Sequence, residues 1–109
     1  MHTLTGKLDV RLEDEATLRR LMAFYHYSTR SLAAAATDEL ARIHRASGAE
    51  GAPLTLSKST VGNLTNGTYR TCRFEYGIAI ERVLRQTPGL LFTPKVSRIE
   101  VDARQLTAA

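Results

Sequence analysis

The sequence predicts a mainly α-helical domain of four to five helices, joined to a small antiparallel sheet made from strands near its two ends. Three observations predict it. Apolar residues recur at helical spacing through the middle of the chain, short runs near each end alternate with a period of two, and small capping residues punctuate the boundaries. With 109 residues, of which 43% are apolar, the chain can bury one core. Residues 1–109 therefore read as a single domain, with a helical body at about 14–93 and strands at about 3–12 and 96–104.

Leu8, Val10 and Leu12 alternate with Lys7, Asp9 and Arg11, and Ile99 and Val101 alternate with Arg98, Glu100 and Asp102. Each run suits a half-buried strand, and pairing the two against the helices gives them the packing surface that a lone hairpin lacks. Glu13, Asp14 and Glu15 place negative charge at a helix start, after which Leu18, Leu21, Met22 and Tyr25 form one apolar face. Ser28 caps a second helix, STRSLAAAATDELARIHRAS, with a stripe of Leu32, Ala36, Leu40 and Ile43 and a stop at Gly48. Residues 48–53 form a loop. In LSKSTVGNLTNG, Ser57 caps a short third helix that buries Val61 and Leu64 and ends at Gly67. TYRTC leads to a fourth helix at roughly 73–86, expected to bury Phe74, Ile78 and Val83 with Ile80 or Leu84. Leu90, Leu91 and Phe92 are expected to form a buried turn, closed by Pro94 before the last strand.

Net charge is +4 and the pI about 9.6, which favours an anionic partner. The distribution says more than the total. Residues 1–27 carry four bases and four acids, whereas residues 51–74 hold Lys58, Arg70 and Arg73 and no acid. One cysteine, Cys72, excludes an internal disulfide and suits a reducing compartment. No apolar run approaches the ~20 residues of a membrane span, and the N-terminal stretch lacks a signal-peptide core. A cytoplasmic chain is expected.

Enzymatic chemistry is not expected. His2, His26, His44 and Cys72 are scattered, and the sequence lacks metalloprotease, paired-cysteine and glycine-rich phosphate motifs. No metal, cofactor or small-molecule substrate is predicted. His26 falls at the end of the first helix, where a cation meets the dipole. Cys72 falls at the start of the fourth, where a thiol pKa can drop, although a small buried packing residue is the simpler role.

The third helix is the stretch that suggests chemistry. Ser57, Lys58, Ser59, Thr60, Asn63 and Asn66 are its candidate base-contacting residues, because lysine donates to guanine and asparagine pairs with adenine in the major groove. A solvated polar helix is the ordinary alternative. Gly62 costs such a helix roughly 1 kcal/mol, which makes sense if a larger side chain would obstruct a close approach. Thr68, Tyr69, Arg70, Thr71 and Arg73 follow, offering hydroxyls and guanidiniums suited to phosphate oxygens. Ser28, Thr29 and Arg30 open the second helix, whose first amides can also hold a phosphate. These eight are the candidate backbone-contacting residues.

SLAAAAT followed by LSKSTVGNLTNG resembles the two halves of a lambda-repressor-like helix-turn-helix of the Cro/cI type, over residues 15–93. Leu32 and Ala33 match the pair that packs the first motif helix, and Leu56 and Ser57 the entry to the recognition helix. Val61 and Leu64 match its buried positions, and Gly67 its stop. YRTCRFEYGIAIERVLRQTPGLLFTPKVS is similar to small regulators of actinobacteria and their phages, in which a segment like R-K-T-C precedes a helix and F-x-P-K follows a buried turn. The chain departs from the family at residues 38–55, which replace a three- or four-residue turn, and at the terminal strands.

The resemblance implies a transcriptional regulator that binds a double-stranded DNA operator, such as a phage or prophage Cro-like protein or immunity repressor. An excisionase-like or architectural DNA-binding protein is a second possibility. A third is a protein-interaction module, antitoxin-like or binding a host factor, that docks through the long second helix with Arg42 and Arg45. A homodimer joined at a sheet edge and a monomer reading an asymmetric site both fit the sequence.

Overall fold

The computed structural model describes residues 9–94. Its elements are β1 (Asp9–Leu12), α1 (Glu15–Phe24), α2 (Thr29–Ser47), α3 (Lys58–Thr65), β2 (Thr71–Arg73), α4 (Phe74–Val83) and β3 (Phe92–Pro94). Helix predominates, and the strands form one antiparallel sheet in the order β2-β1-β3. The predicted strand at 96–104, and the part of the first strand before Asp9, lie outside the described residues.

Local chemistry sets the helix boundaries. The Asp14 carboxylate accepts hydrogen bonds from the Ala16 amide at 3.1 Å and the Thr17 hydroxyl at 2.9 Å. The Thr17 hydroxyl, followed by the Ala16 amide, holds that carboxyl below its usual pKa. Ser28 and Ser31 cap α2 reciprocally, and Gly48, at φ +73°, ends it in the left-handed conformation that glycine adopts without strain. The Ser57 hydroxyl accepts from the Thr60 amide at 3.1 Å to start α3.

The helices and the inner face of the sheet share one core. α1 contributes Leu18 and Met22, α2 Leu32, Ala36 and Leu40, and α3 Val61 and Leu64. Val10, Leu12 and Phe92 supply the sheet side. Burying each larger aliphatic or aromatic side chain favours folding by about 1.5–3 kcal/mol, set against its ordering entropy.

Four expectations for the second half of the chain require correction. TYRTC is not merely a lead-in: Thr71, Cys72 and Arg73 pair with Arg11, Val10 and Asp9 as β2. Cys72 consequently sits in a strand rather than at the helix start. Phe92 belongs to β3, paired with Leu12, and Leu90 is 63% exposed, so residues 90–92 are not a uniformly buried turn.

The fourth correction concerns α4, which is shorter than predicted and turned about its axis. Its buried face is Gly77, Ala79, Ile80 and Glu81, with Leu84 just beyond its end. Phe74 is exposed and Ile78 only half-buried. The reason is steric. A Cβ at Gly77 would stand 2.9 Å from Val10 Cγ2 and 3.1 Å from Phe92 Cγ, so the helix presents its smallest residue to the sheet.

Glu81 fastens the return from α4 to β3. Its buried carboxylate accepts from the amides of Gly89 (3.1 Å), Leu91 (3.0 Å) and Phe92 (2.9 Å). These bonds compensate for desolvating the charge and set the chain direction into the last described strand.

Candidate nucleic-acid interface

α3 is divided lengthwise by polarity. Val61 and Leu64 are fully buried. At 100° per residue, Ser59, Gly62, Asn63 and the capping Asn66 fall on the opposite face, with Lys58 on its flank. Lys58, Ser59 and Asn66 are exposed, and Gly62 and Asn63 are half-buried. A Cβ added at Gly62 would meet nothing within 4 Å, and its φ lies outside the left-handed region. Neither internal packing nor backbone conformation therefore calls for glycine there.

The predicted base-contacting set separates into two groups. Ser57 and Thr60 are engaged with each other, their hydroxyls 2.9 Å apart. Asn66 accepts the Thr68 amide at 2.8 Å through Oδ1, forming the turn out of α3. Lys58, Ser59 and the Asn63 carboxamide make no side-chain hydrogen bond among the described residues, which leaves them available to a ligand.

The entry to α3 is held by Thr37, in the middle of α2. Its hydroxyl accepts from the Leu56 amide at 3.0 Å and donates to the Leu56 carbonyl at 3.2 Å. Residues 38–55 thus run out from Thr37 along the rest of α2 and return to it. The excursion comprises the second half of α2 and a loop, as expected, with Leu54 half-buried and Leu56 buried at its close. His44 Nε2 donates to the Gly51 carbonyl at 2.9 Å, and the Tyr76 hydroxyl to the Thr55 carbonyl at 2.9 Å.

The predicted backbone-contacting residues occupy three settings. Tyr69 is tied to α3, its amide donating to the Asn63 carbonyl at 3.0 Å, and its side chain is exposed. Thr68 and Arg70 are exposed beside it. Thr71 and Arg73 belong to β2, opposite Arg11 and Asp9 on the face turned away from Val10 and Cys72. Ser28 is occupied by its cap, Thr29 is half-buried and Arg30 is exposed at the start of α2. Among the described residues, no hydrogen bond joins that turn to α3 or to residues 68–73.

The flanks of α3 contain no acid in sequence but meet acids in space. Arg70 Nη1 lies 3.5 Å from Glu15 Oε1, and Arg73 Nε lies 3.5 Å from Glu75 Oε1. The acid-free stretch at 51–74 is therefore not acid-free in space, because the pairing of β1 with β2 brings Glu15 beside Gly67 and Arg70, and Glu75 follows Arg73 by two residues.

The other candidate reactive groups have structural settings. Burial pushes the Cys72 thiol up to about 12, assisted by the charges of Asp9 and Glu81, so at neutral pH it is a protonated packing residue. His26 is exposed just past α1, in the left-handed region at φ +64°. His2 lies outside the described residues. Among the described residues no cluster of His, Cys, Asp or Glu is placed to hold a metal ion, and no helix is long and apolar enough to cross a membrane.

Glu39 was not singled out by the sequence. It is buried on α2 and joined to Arg42 and, at 3.2 Å, to Arg82 of α4. Beside this link, Leu40, Ile43, Leu54, Phe74 and Ile78 line a largely apolar groove of about 310 Å³.

Comparison of the chain with family models, with curated proteins and with solved structures finds no match.

Proposed function

We propose that the chain is a sequence-specific double-stranded DNA-binding regulator that places α3 in the major groove, in the manner of a lambda-repressor-like helix-turn-helix. The observation that carries this reading is the outer face of α3. Lys58, Ser59 and Asn63 are free of side-chain hydrogen bonds among the described residues, around a glycine with open space before it. A helix that served only to cover the core would favour alanine at that position. The Thr37–Leu56 contact adds support, because it joins the two motif helices where the family has a short turn.

In this reading Lys58, Ser59 and Asn63 address base edges, and Arg70 and Tyr69 fix the register on phosphates. A phage or prophage repressor is the job that the resemblance suggests. Selection of bound duplexes from a random pool, at stated salt, tests the function; no enrichment would remove it. The division of roles is tested on the selected duplex. Asn63→Ala should cost ~1–3 kcal/mol and relax preference at one base position. Arg70→Ala should weaken all sequences alike and reduce the salt slope by about one unit. Equal losses on selected and random duplex for both variants would refute that division.

The groove between α2 and α4 favours a second reading, a protein-interaction module docking along the second half of α2. It requires that the purified chain show no salt-sensitive affinity for DNA. It also requires that charge reversal at exposed Arg45 abolish capture of the partner.

A further inference from the structure

We propose that Glu15 limits the affinity of the α3 face for DNA by competing with phosphate for Arg70; the proposal rests on the DNA-binding reading above. Glu15 stands in the first turn of α1, 55 residues from Arg70 in sequence. One carboxylate oxygen lies 3.5 Å from Arg70 Nη1. The other would lie 3.1 Å from a Cβ at Gly67, so the carboxylate is packed against the turn by which the chain leaves α3.

One helical turn further along α1, Arg19 donates to the carbonyl of Thr65, the last residue of α3. The same face of α1 thus presents a cation to the carbonyl end of α3 and an anion to Arg70. The cation has an evident structural purpose, because the helix dipole favours positive charge there. The anion has less. The Arg70 side chain is 59% exposed, and ion pairs of such exposure contribute little to folding.

A phosphate diester would be a stronger partner for the same guanidinium, which can grip it with two parallel hydrogen bonds. To reach it, Arg70 must leave Glu15, whose unpaired charge then stands beside the incoming phosphate. The penalty is independent of sequence, since neither group reads a base. Glu15 therefore lowers the backbone component of binding while leaving the contacts of Lys58 and Asn63 untouched.

The test is a double-mutant cycle measured by titration with a random-sequence DNA duplex across a series of salt concentrations. Glu15→Gln should tighten binding about two- to five-fold at low salt, with a smaller gain at high salt, where the carboxylate is screened. The same substitution in an Arg70→Ala background should give a distinctly smaller gain, the remainder being plain repulsion between Glu15 and phosphate. Glu15→Asp keeps negative charge at the helix start but draws the carboxylate back from Arg70, and should give a smaller gain of the same sign. Thermal unfolding of each variant separates loss of fold from change of affinity.

A wild-type chain with no salt-sensitive affinity for the duplex removes the DNA-binding reading and the proposal with it. A wild type that binds overturns the proposal alone if neither Glu15 variant gains affinity. Equal gains with and without Arg70 do the same, because they make Glu15 a source of general repulsion.

Discussion

Gly62 and Gly77 both lie inside helices, but their surroundings demand different things of them. Gly77 faces the sheet, and a methyl group there would be driven against Val10 and Phe92. Gly77→Ala should therefore destabilise the fold by about 1–3 kcal/mol through overpacking, less the helix-propensity gain. Gly62 faces open space. Gly62→Ala should raise stability by about 0.5–1 kcal/mol, since alanine loses less conformational freedom on entering a helix. If the α3 face approaches a base stack closely, the same methyl should weaken binding to the selected duplex. Urea unfolding of both variants, with a duplex titration of the second, checks the pair. Unchanged affinity in a stabilised Gly62→Ala would leave the glycine without a part in recognition.

Among the elements, the excursion between α2 and α3 shows what sequence reveals and what it hides. Ser28 with Gly48, and Ser57 with Asn66-Gly67, announce the two helices because capping is chemistry between near neighbours. The closure at Thr37 and Leu56 spans 19 positions and carries no periodic signal. β2 and β3 were illegible for a related reason. Three-residue strands are too short to show alternation and exist here because β1 lies between them. The Glu81 carboxylate, the pairing of Glu15 with Arg70 and the rotation of α4 all depend on which elements meet, so composition and spacing could not announce them. On the candidate site, the free side chains of α3 were legible. The commitment of Ser57 and Thr60 to the cap was only half so, since the sequence offers Ser57 as a cap and as a contact at once. Thr37→Val offers a direct measurement of the closure. It removes a donor and an acceptor, leaves two polar groups of Leu56 unpaired, and should cost about 1–3 kcal/mol in urea unfolding. Hydrogen exchange should then quicken at the start of α3 more than in α1. Uniform quickening would mean that the hydroxyl supports the fold without holding the helix entry.

For the molecule as a whole, the link between α2 and α4 makes stability depend on acid in a predictable direction. Glu39 is only 9% exposed, yet its carboxyl is held below its usual pKa, first by the Arg42 hydrogen bond and then by Arg82, against the opposing effect of burial. A carboxyl whose pKa is lower folded than unfolded stabilises the fold above the unfolded value. That contribution is lost as pH falls through the folded value. Glu39→Gln should therefore be less stable than wild type at pH 7, on the order of 1 kcal/mol because both arginines are more than half exposed. The difference should shrink as pH falls below the ordinary carboxylate range, because the wild type then carries a neutral acid at the same place. Urea unfolding at a series of pH values would display this as two curves converging towards acid. Parallel curves would mean that the two arginines do not hold the carboxylate in its charged form. Glu39 has no part in the contacts proposed for α3, so its replacement should leave affinity for random duplex at pH 7 unchanged. A large loss there would draw the second half of α2 into the DNA-binding surface.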